Sequence, residues 1–302
     1  MSTPPRAGLP LRTIRRSRFA FAGQTGCALA LCLLLIGCIT GRQTRVALPA
    51  RHSIRADQLL MVSDFKIDNK HPLVEDLIQL RQQISQALSL PMGSRPVMVY
   101  VFSTEQQYRQ YWEATYPGFD LRRAYFVQTP GKELAVYTAW GDKIQEDLRH
   151  EYTHGLLHAS LESVPLWLDE GLAEYFEVIS SQPGQVNSDY VRLLGLSLSN
   201  GWRPDLRSLE DLESVNAMRR EHYREAWAWV HYMLHGSDEG REVLLSYLRE
   251  LRTNPNPGRL SDRLMASVPG VETRLISYVA TLGTTGGLLH ASDQDPASGG
   301  LE

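Results

Sequence analysis

Cysteine is scarce in this chain and confined to its beginning. The three cysteines are Cys27, Cys32 and Cys38, so everything downstream lacks a thiol. That excludes a disulfide framework and a thiolate metal ligand. A metal site in the body of the chain must use histidine and carboxylate, a donor set that suits zinc or a similar divalent ion. Acidic residues are missing before Cys38, where Arg12, Arg15, Arg16 and Arg18 make the chain basic. Long apolar runs are missing as well: the strongest, Cys27 to Ile36, is too short for a comfortable membrane span. After Cys38 there is no cluster of Lys and Arg, and the chain has no internal repeat. The 302 residues carry a formal charge of −3, which becomes −8 once the five arginines of residues 1–37 are removed. Binding phosphate needs clustered positive charge, so nucleic acid is not an expected partner.

A basic stretch followed by a short apolar run has the form of an export signal, and it is set aside from fold reasoning. Its end, Leu35-Ile-Gly-Cys38, resembles a bacterial lipobox. The resemblance implies removal of residues 1–37 and lipidation of Cys38. The mature chain would then sit in the cell envelope, anchored to the membrane by its lipid on the exported side. The alternatives are an uncleaved signal anchor and a plain secretory signal. Residues 38–56 are polar and read as a tether. Residues 283–302, rich in Gly, Ser, Thr and Asp, read as a disordered tail. One domain of residues 57–282 remains, long enough for a sizeable core.

Within it, Leu73, Leu77, Leu80, Ile84 and Leu88 recur at helical spacing over 71–88. Val97 to Phe102 is a β-rich run, and Ser103 is placed to cap a helix through Trp112. Ala124–Val127 and Leu134–Thr138 read as a hairpin turned by Pro130-Gly131. From Asp142 onward the pattern is helical. Asp142 is placed to cap a helix to about Ala159, and Ser163 another with Pro165 in its first turn. Further helices fit 187–198, 208–216, 219–235, 239–252, 259–267 and 271–281. Strands first and helices afterwards predict an α+β fold, a small mixed sheet followed by a mainly helical lobe.

The informative segment is His150-Glu-Tyr-Thr-His154. Residues four apart share a helix face, so both imidazoles can grip one ion. Glu151 lies at the edge of that face and can reach a water on the ion without ligating it. Ile144, Leu148 and Gly155 fall on the side that meets the core. A second segment, Trp167-Leu-Asp-Glu-Gly-Leu-Ala-Glu-Tyr-Phe-Glu177, follows after a loop and reads as a second helix.

Together the two segments resemble the gluzincin zinc metallopeptidases, the group of thermolysin and the membrane alanyl aminopeptidases. The resemblance covers residues 150–177. It implies a zincin-like lobe with the metal between sheet and helices, zinc on His150, His154 and Glu170, and Glu151 as catalytic base. Fifteen residues separate His154 from Glu170 and nineteen separate it from Glu174, the latter closer to thermolysin. Loop length varies freely whereas geometry within the second helix does not, so Glu170 is preferred. Glu174, one turn on, then accepts the free N–H of a ligating ring, and Asp169 helps to cap the helix. In this group a later Tyr or His bonds the oxyanion. Tyr223 is the candidate, with His222 and His231 behind it. An edge strand there also pairs with extended substrate, and Leu134–Thr138 is the candidate strand. Trp227, Trp229, Tyr232 and Tyr247 read as core.

The expected function is zinc-dependent hydrolysis of a peptide or protein substrate. The alternatives are a non-catalytic zinc-binding envelope lipoprotein acting as a binding or assembly factor, and a structural protein without metal.

Overall fold

A computed structural model describes residues 47–129, 133–180 and 184–292, with side chains through 283. The segments expected to form the signal, the lipobox with Cys38 and the Pro130-Gly131 turn lie outside the described residues. No helix among them is long and apolar enough to cross a membrane.

The architecture is α+β. Five strands form one mixed sheet: β1 (His52–Ala56), β2 (Leu59–Ser63), β3 (Val97–Phe102), β4 (Ala124–Gln128) and β5 (Leu134–Ala139), in the order β1-β2-β3-β5-β4. β2, β3 and β5 run parallel, and the two edge strands are antiparallel to their neighbours. Two corrections follow. His52–Ala56 is strand rather than tether, so the folded part begins earlier than residue 57. Leu134–Ala139 is not an edge: the chain crosses from β3 through a helix and returns by a hairpin, which leaves β4 outermost.

The pleat of the central strands sorts their side chains. Val97, Val99 and Val101, with Leu134 and Val136, join the main core on one face. Tyr100, Phe102, Ala135 and Tyr137 join an aromatic cluster on the other. α1 (Pro72–Ala87) and α3 (Ile144–Ser160) pack together on the valine side, and α2 (Glu105–Thr115) brings Tyr108 and Trp112 to the aromatic side. Thr104, not Ser103, caps α2 by accepting the Gln107 N–H. The hydroxyl one residue later is the one with an extended backbone, as an N-cap requires.

Helices follow: α4 (Leu166–Glu177), α5 (Ser188–Ser199), α6 (Leu206–Glu210), α7 (Arg220–His235), α8 (Asp238–Glu250), α9 (Leu260–Ser267) and α10 (Val271–Ser292). The stretch expected as one helix over 208–216 is instead α6 and a 3₁₀ turn at Val215–Ala217. α10 carries helical backbone ten residues into the segment read as a tail. α3 and α4 start at Lys143 and Pro165 without side-chain caps, so neither Asp142 nor Ser163 plays that part. Trp227, Trp229, Tyr232 and Tyr247 are buried as expected.

Glycine sets how closely α3 and α4 approach their neighbours. A Cβ on Gly155 would lie 2.5 Å from Val97 Cγ1, so α3 rests directly on β3. A Cβ on Gly171 would lie 2.8 Å from the Ala226 carbonyl oxygen, so α4 lies backbone to backbone on α7.

A buried cation ties these helices together. Arg149 is 1% exposed and donates from Nη1 to Asp76 Oδ1 at 2.8 Å, from Nη2 to Gln83 Oε1 at 3.0 Å and from Nε to the Phe176 carbonyl at 2.9 Å. Gln83 in turn donates to the Ser180 carbonyl at 2.8 Å. One side chain thus links α1, α3 and the end of α4. Removing one partner of a buried ion pair strands the other charge, a loss of about 3–5 kcal/mol. Arg149→Met should lower unfolding free energy by about that much in urea denaturation. Arg149→Met with Asp76→Asn should recover part of it; equal losses in the single and double variants would contradict the pairing.

Candidate metal centre

α3 presents His150, His154 and His158 at four-residue intervals on one face, and α4 crosses that face with its acids. Glu170 Oε2 lies 3.5 Å from His150 Nε2 and 3.7 Å from His154 Nε2. The donor atoms of these three residues all fall within 4.8 Å of one another. A tetrahedral zinc with bonds of about 2.0–2.2 Å separates its ligands by roughly 3.3–3.6 Å, and the two sides of this triangle that meet at Glu170 are near that length.

The opposite edges of the imidazoles are also occupied by acids. His150 Nδ1 is 3.0 Å from Glu177 Oε2. His154 Nδ1 is 3.0 Å from Asp169 Oδ1, close but out of hydrogen-bond alignment. Asp169 Oδ2 is 2.9 Å from His158 Nε2. Both rings therefore turn Nδ1 toward a carboxylate and Nε2 toward Glu170, which is how ligating histidines are oriented in metal sites. This corrects two expectations. Glu177, not Glu174, meets the free nitrogen of His150, and Asp169 bridges His154 and His158 instead of capping α4. Glu174 accepts the Tyr190 hydroxyl at 2.7 Å. It also lies within 4.8 Å of His150 and Glu177 donor atoms in a second possible grouping.

Burial disfavours a charged His154, but Asp169 and Glu170 outweigh it and raise the ring's pKa to about 9. Burial likewise disfavours a charged His150, and contacts with Glu170 and Glu177 raise its pKa well above the usual value. Glu174 is pushed up to about 7 by burial, with the Glu177 and Glu170 charges adding to it against the pull of His150. Four acids, Asp169, Glu170, Glu174 and Glu177, thus gather around three imidazoles, His150, His154 and His158.

Glu151 stands apart from the triangle. Its Oε2 accepts the Phe126 N–H at 2.7 Å, tying it to the outward side of β4. His150, His154, Glu151 and Glu170 all open onto one cleft of about 680 Å³. Phe126 also packs its ring against His154 and His158, at 6.0 and 5.3 Å between centroids. The residues that sequence reading missed are Glu177, His158, Phe126 and Arg122. The first two were visible as continuations of their helix faces, seven residues past Glu170 and four past His154. Phe126 and Arg122 reach the site through tertiary placement alone.

Tyr223 on α7 comes close to the cluster. Burial raises its hydroxyl pKa and the Glu170 charge raises it further, while hydrogen bonding from Arg122 works the other way. His222 does not approach: its Nδ1 accepts the Arg219 N–H in a capping box at the start of α7. His231 is turned elsewhere too. Its Nδ1 faces the Tyr278 hydroxyl at 2.7 Å and its Nε2 the Gly184 carbonyl at 3.2 Å. That environment suits a neutral ring donating from Nε2 and accepting at Nδ1.

Burial pushes the His231 pKa down to about 4, helped by the neighbouring His235. The folded ring thus holds its proton less tightly than the unfolded one. Its contribution to stability is present above pH 6.5 and is lost as pH falls toward 4. His231→Gln should be less sensitive to acid over that window, with up to about 3 kcal/mol less loss. Parallel stability profiles for the two proteins would contradict it.

A family model described as "Protein of unknown function (DUF1570)" matches residues 146–257, from the first turn of α3 to just beyond α8. No curated protein matches the chain.

Proposed function

We propose that this chain is a zinc-dependent peptidase of the bacterial cell envelope, with the metal on His150, His154 and Glu170. The observation that carries the reading is the convergence of two Nε2 atoms on one Glu170 oxygen, at 3.5 and 3.7 Å, with Glu151 beside them on the same cleft. A zinc ion bound there supplies Lewis-acid polarisation of a carbonyl and acidifies a water molecule.

The chain's own groups supply the rest. Glu151 accepts the proton of the attacking water and returns it to the leaving amine. The Phe126 N–H holds its carboxylate at 2.7 Å, so the base is oriented before substrate arrives. Glu177 fixes the ring orientation of His150, and Asp169 lies beside the Nδ1 of His154. Tyr223 keeps its proton through burial and the nearby Glu170 charge, and so serves as a neutral donor to the developing oxyanion. β4, the edge strand beside the site, offers its outer side to an extended substrate backbone. Cys38 carries the lipid that holds the domain to the membrane.

Purified protein should contain about one zinc per chain, lost in both His150→Ala and His154→Ala. Glu170→Ala should lose most of the metal, whereas Glu174→Ala should weaken binding by no more than about 10- to 100-fold. Glu151→Gln should keep the zinc and lose about 10²–10⁴-fold in peptide cleavage. Unchanged metal content in the histidine variants would sink the site. Full cleavage by Glu151→Gln would sink the assignment of the base.

Cys38→Ser should abolish both signal processing and incorporation of labelled fatty acid; normal labelling would refute the anchor.

A further inference from the structure

The cleft beside the candidate metal centre carries one guanidinium, that of Arg122, in the loop that leads into β4. Arg122 makes no ion pair with a carboxylate among the described residues, whereas its neighbour Arg123 is committed to Asp147 at 2.7 Å. The Arg122 guanidinium instead lies over the Tyr125 ring, 5.6 Å from its centroid. Tyr125 is itself fixed, stacked on the buried Trp112 ring at 4.0 Å and 5°. One phenol ring thus backs a cation at the wall of the cleft, open to solvent.

Such a mounting leaves the planar fork of the guanidinium free for a bidentate partner. The cleft's own acids are engaged otherwise: Asp169 faces two histidines, Glu170 the metal triangle, and Glu151 the Phe126 N–H. Asp120, also on the cleft, makes no ion pair with Arg122 within 4.0 Å.

We propose that Arg122 is a specificity-determining residue that recognises a carboxylate on the substrate. This rests on the peptidase reading and adds a substrate class to it. The cleft takes peptides that present a carboxylate near the scissile bond, from the chain's C-terminus or from an acidic side chain.

The test measures binding, so that it does not depend on turnover. Zinc-loaded full chain carrying Glu151→Gln is titrated with four fluorescent hexapeptides. One pair differs only in a free or amidated C-terminus. The other pair is amidated and differs only in an internal glutamate or glutamine. A metal ion itself attracts carboxylates, so each titration is repeated with Arg122→Met added, and with Arg122→Gln should the methionine variant fail to fold. Zinc content and circular dichroism confirm each protein is loaded and folded. The expected result is at least about tenfold tighter binding of the carboxylate member of one pair, with most of that preference gone in the Arg122 variant. The pair that responds identifies the source of the carboxylate. No preference in either pair, or a preference that survives loss of Arg122, overturns the proposal. Peptide cleavage by the chain with Glu151 intact is followed separately. Absence of cleavage with the binding preference intact would reject the peptidase reading and leave carboxylate recognition standing.

Discussion

Arg149 immediately precedes His150, and its buried guanidinium decides where that histidine can be. Two of its donors end on α1, at Asp76 and Gln83, and the third on the last turn of α4, so α3 can neither rotate nor slide without unpairing a charge inside the core. The close rest of Gly155 on Val97 sets the depth of α3 against the sheet, and Gly171 sets the depth of α4 against α7. With both helices fixed, the imidazole face of α3 meets the acidic face of α4 at donor spacings near those of a tetrahedral ion. The centre is thus a consequence of two helix positions that apolar packing and one ion pair determine.

The same crossing explains the electrostatics. Asp169, Glu170, Glu174 and Glu177 lie on one side of α4 and their charges are concentrated on two rings. Those charges raise the pKa of both His150 and His154 against the effect of burial. A divalent ion would displace protons from those rings, so metal uptake should be coupled to proton release. β4 contributes from the other side, its Phe126 N–H steadying Glu151 and its aromatic ring covering His154 and His158. Sheet edge, helix pair and Glu151 form one arrangement.

Much of this was legible in the sequence because helical periodicity is a strong local signal. His150, Glu151, His154 and Glu170 follow from spacing and from a family resemblance, and the α+β order follows from strands preceding helices. β1 and β2 escaped because five-residue strands in a polar neighbourhood carry little pattern: only Ile54 of β1 is buried. The edge strand was misassigned because a hairpin read from sequence does not say which of its strands meets β3. Partners of the rings were assigned one turn early, to Glu174 instead of Glu177, because helix spacing gives the face but not the crossing angle of the second helix. Arg122 sits in a loop, where no periodicity constrains which cavity a side chain reaches.

The central claim is that a single ion sits between the two Nε2 atoms and Glu170. A crystal grown with zinc and measured on both sides of the zinc absorption edge tests it most directly. The account predicts one anomalous peak within about 2.0–2.2 Å of His150 Nε2, His154 Nε2 and a Glu170 oxygen, with Glu174 outside the coordination sphere. A peak on Glu174 and Glu177 instead, or none between the two histidines, would contradict it.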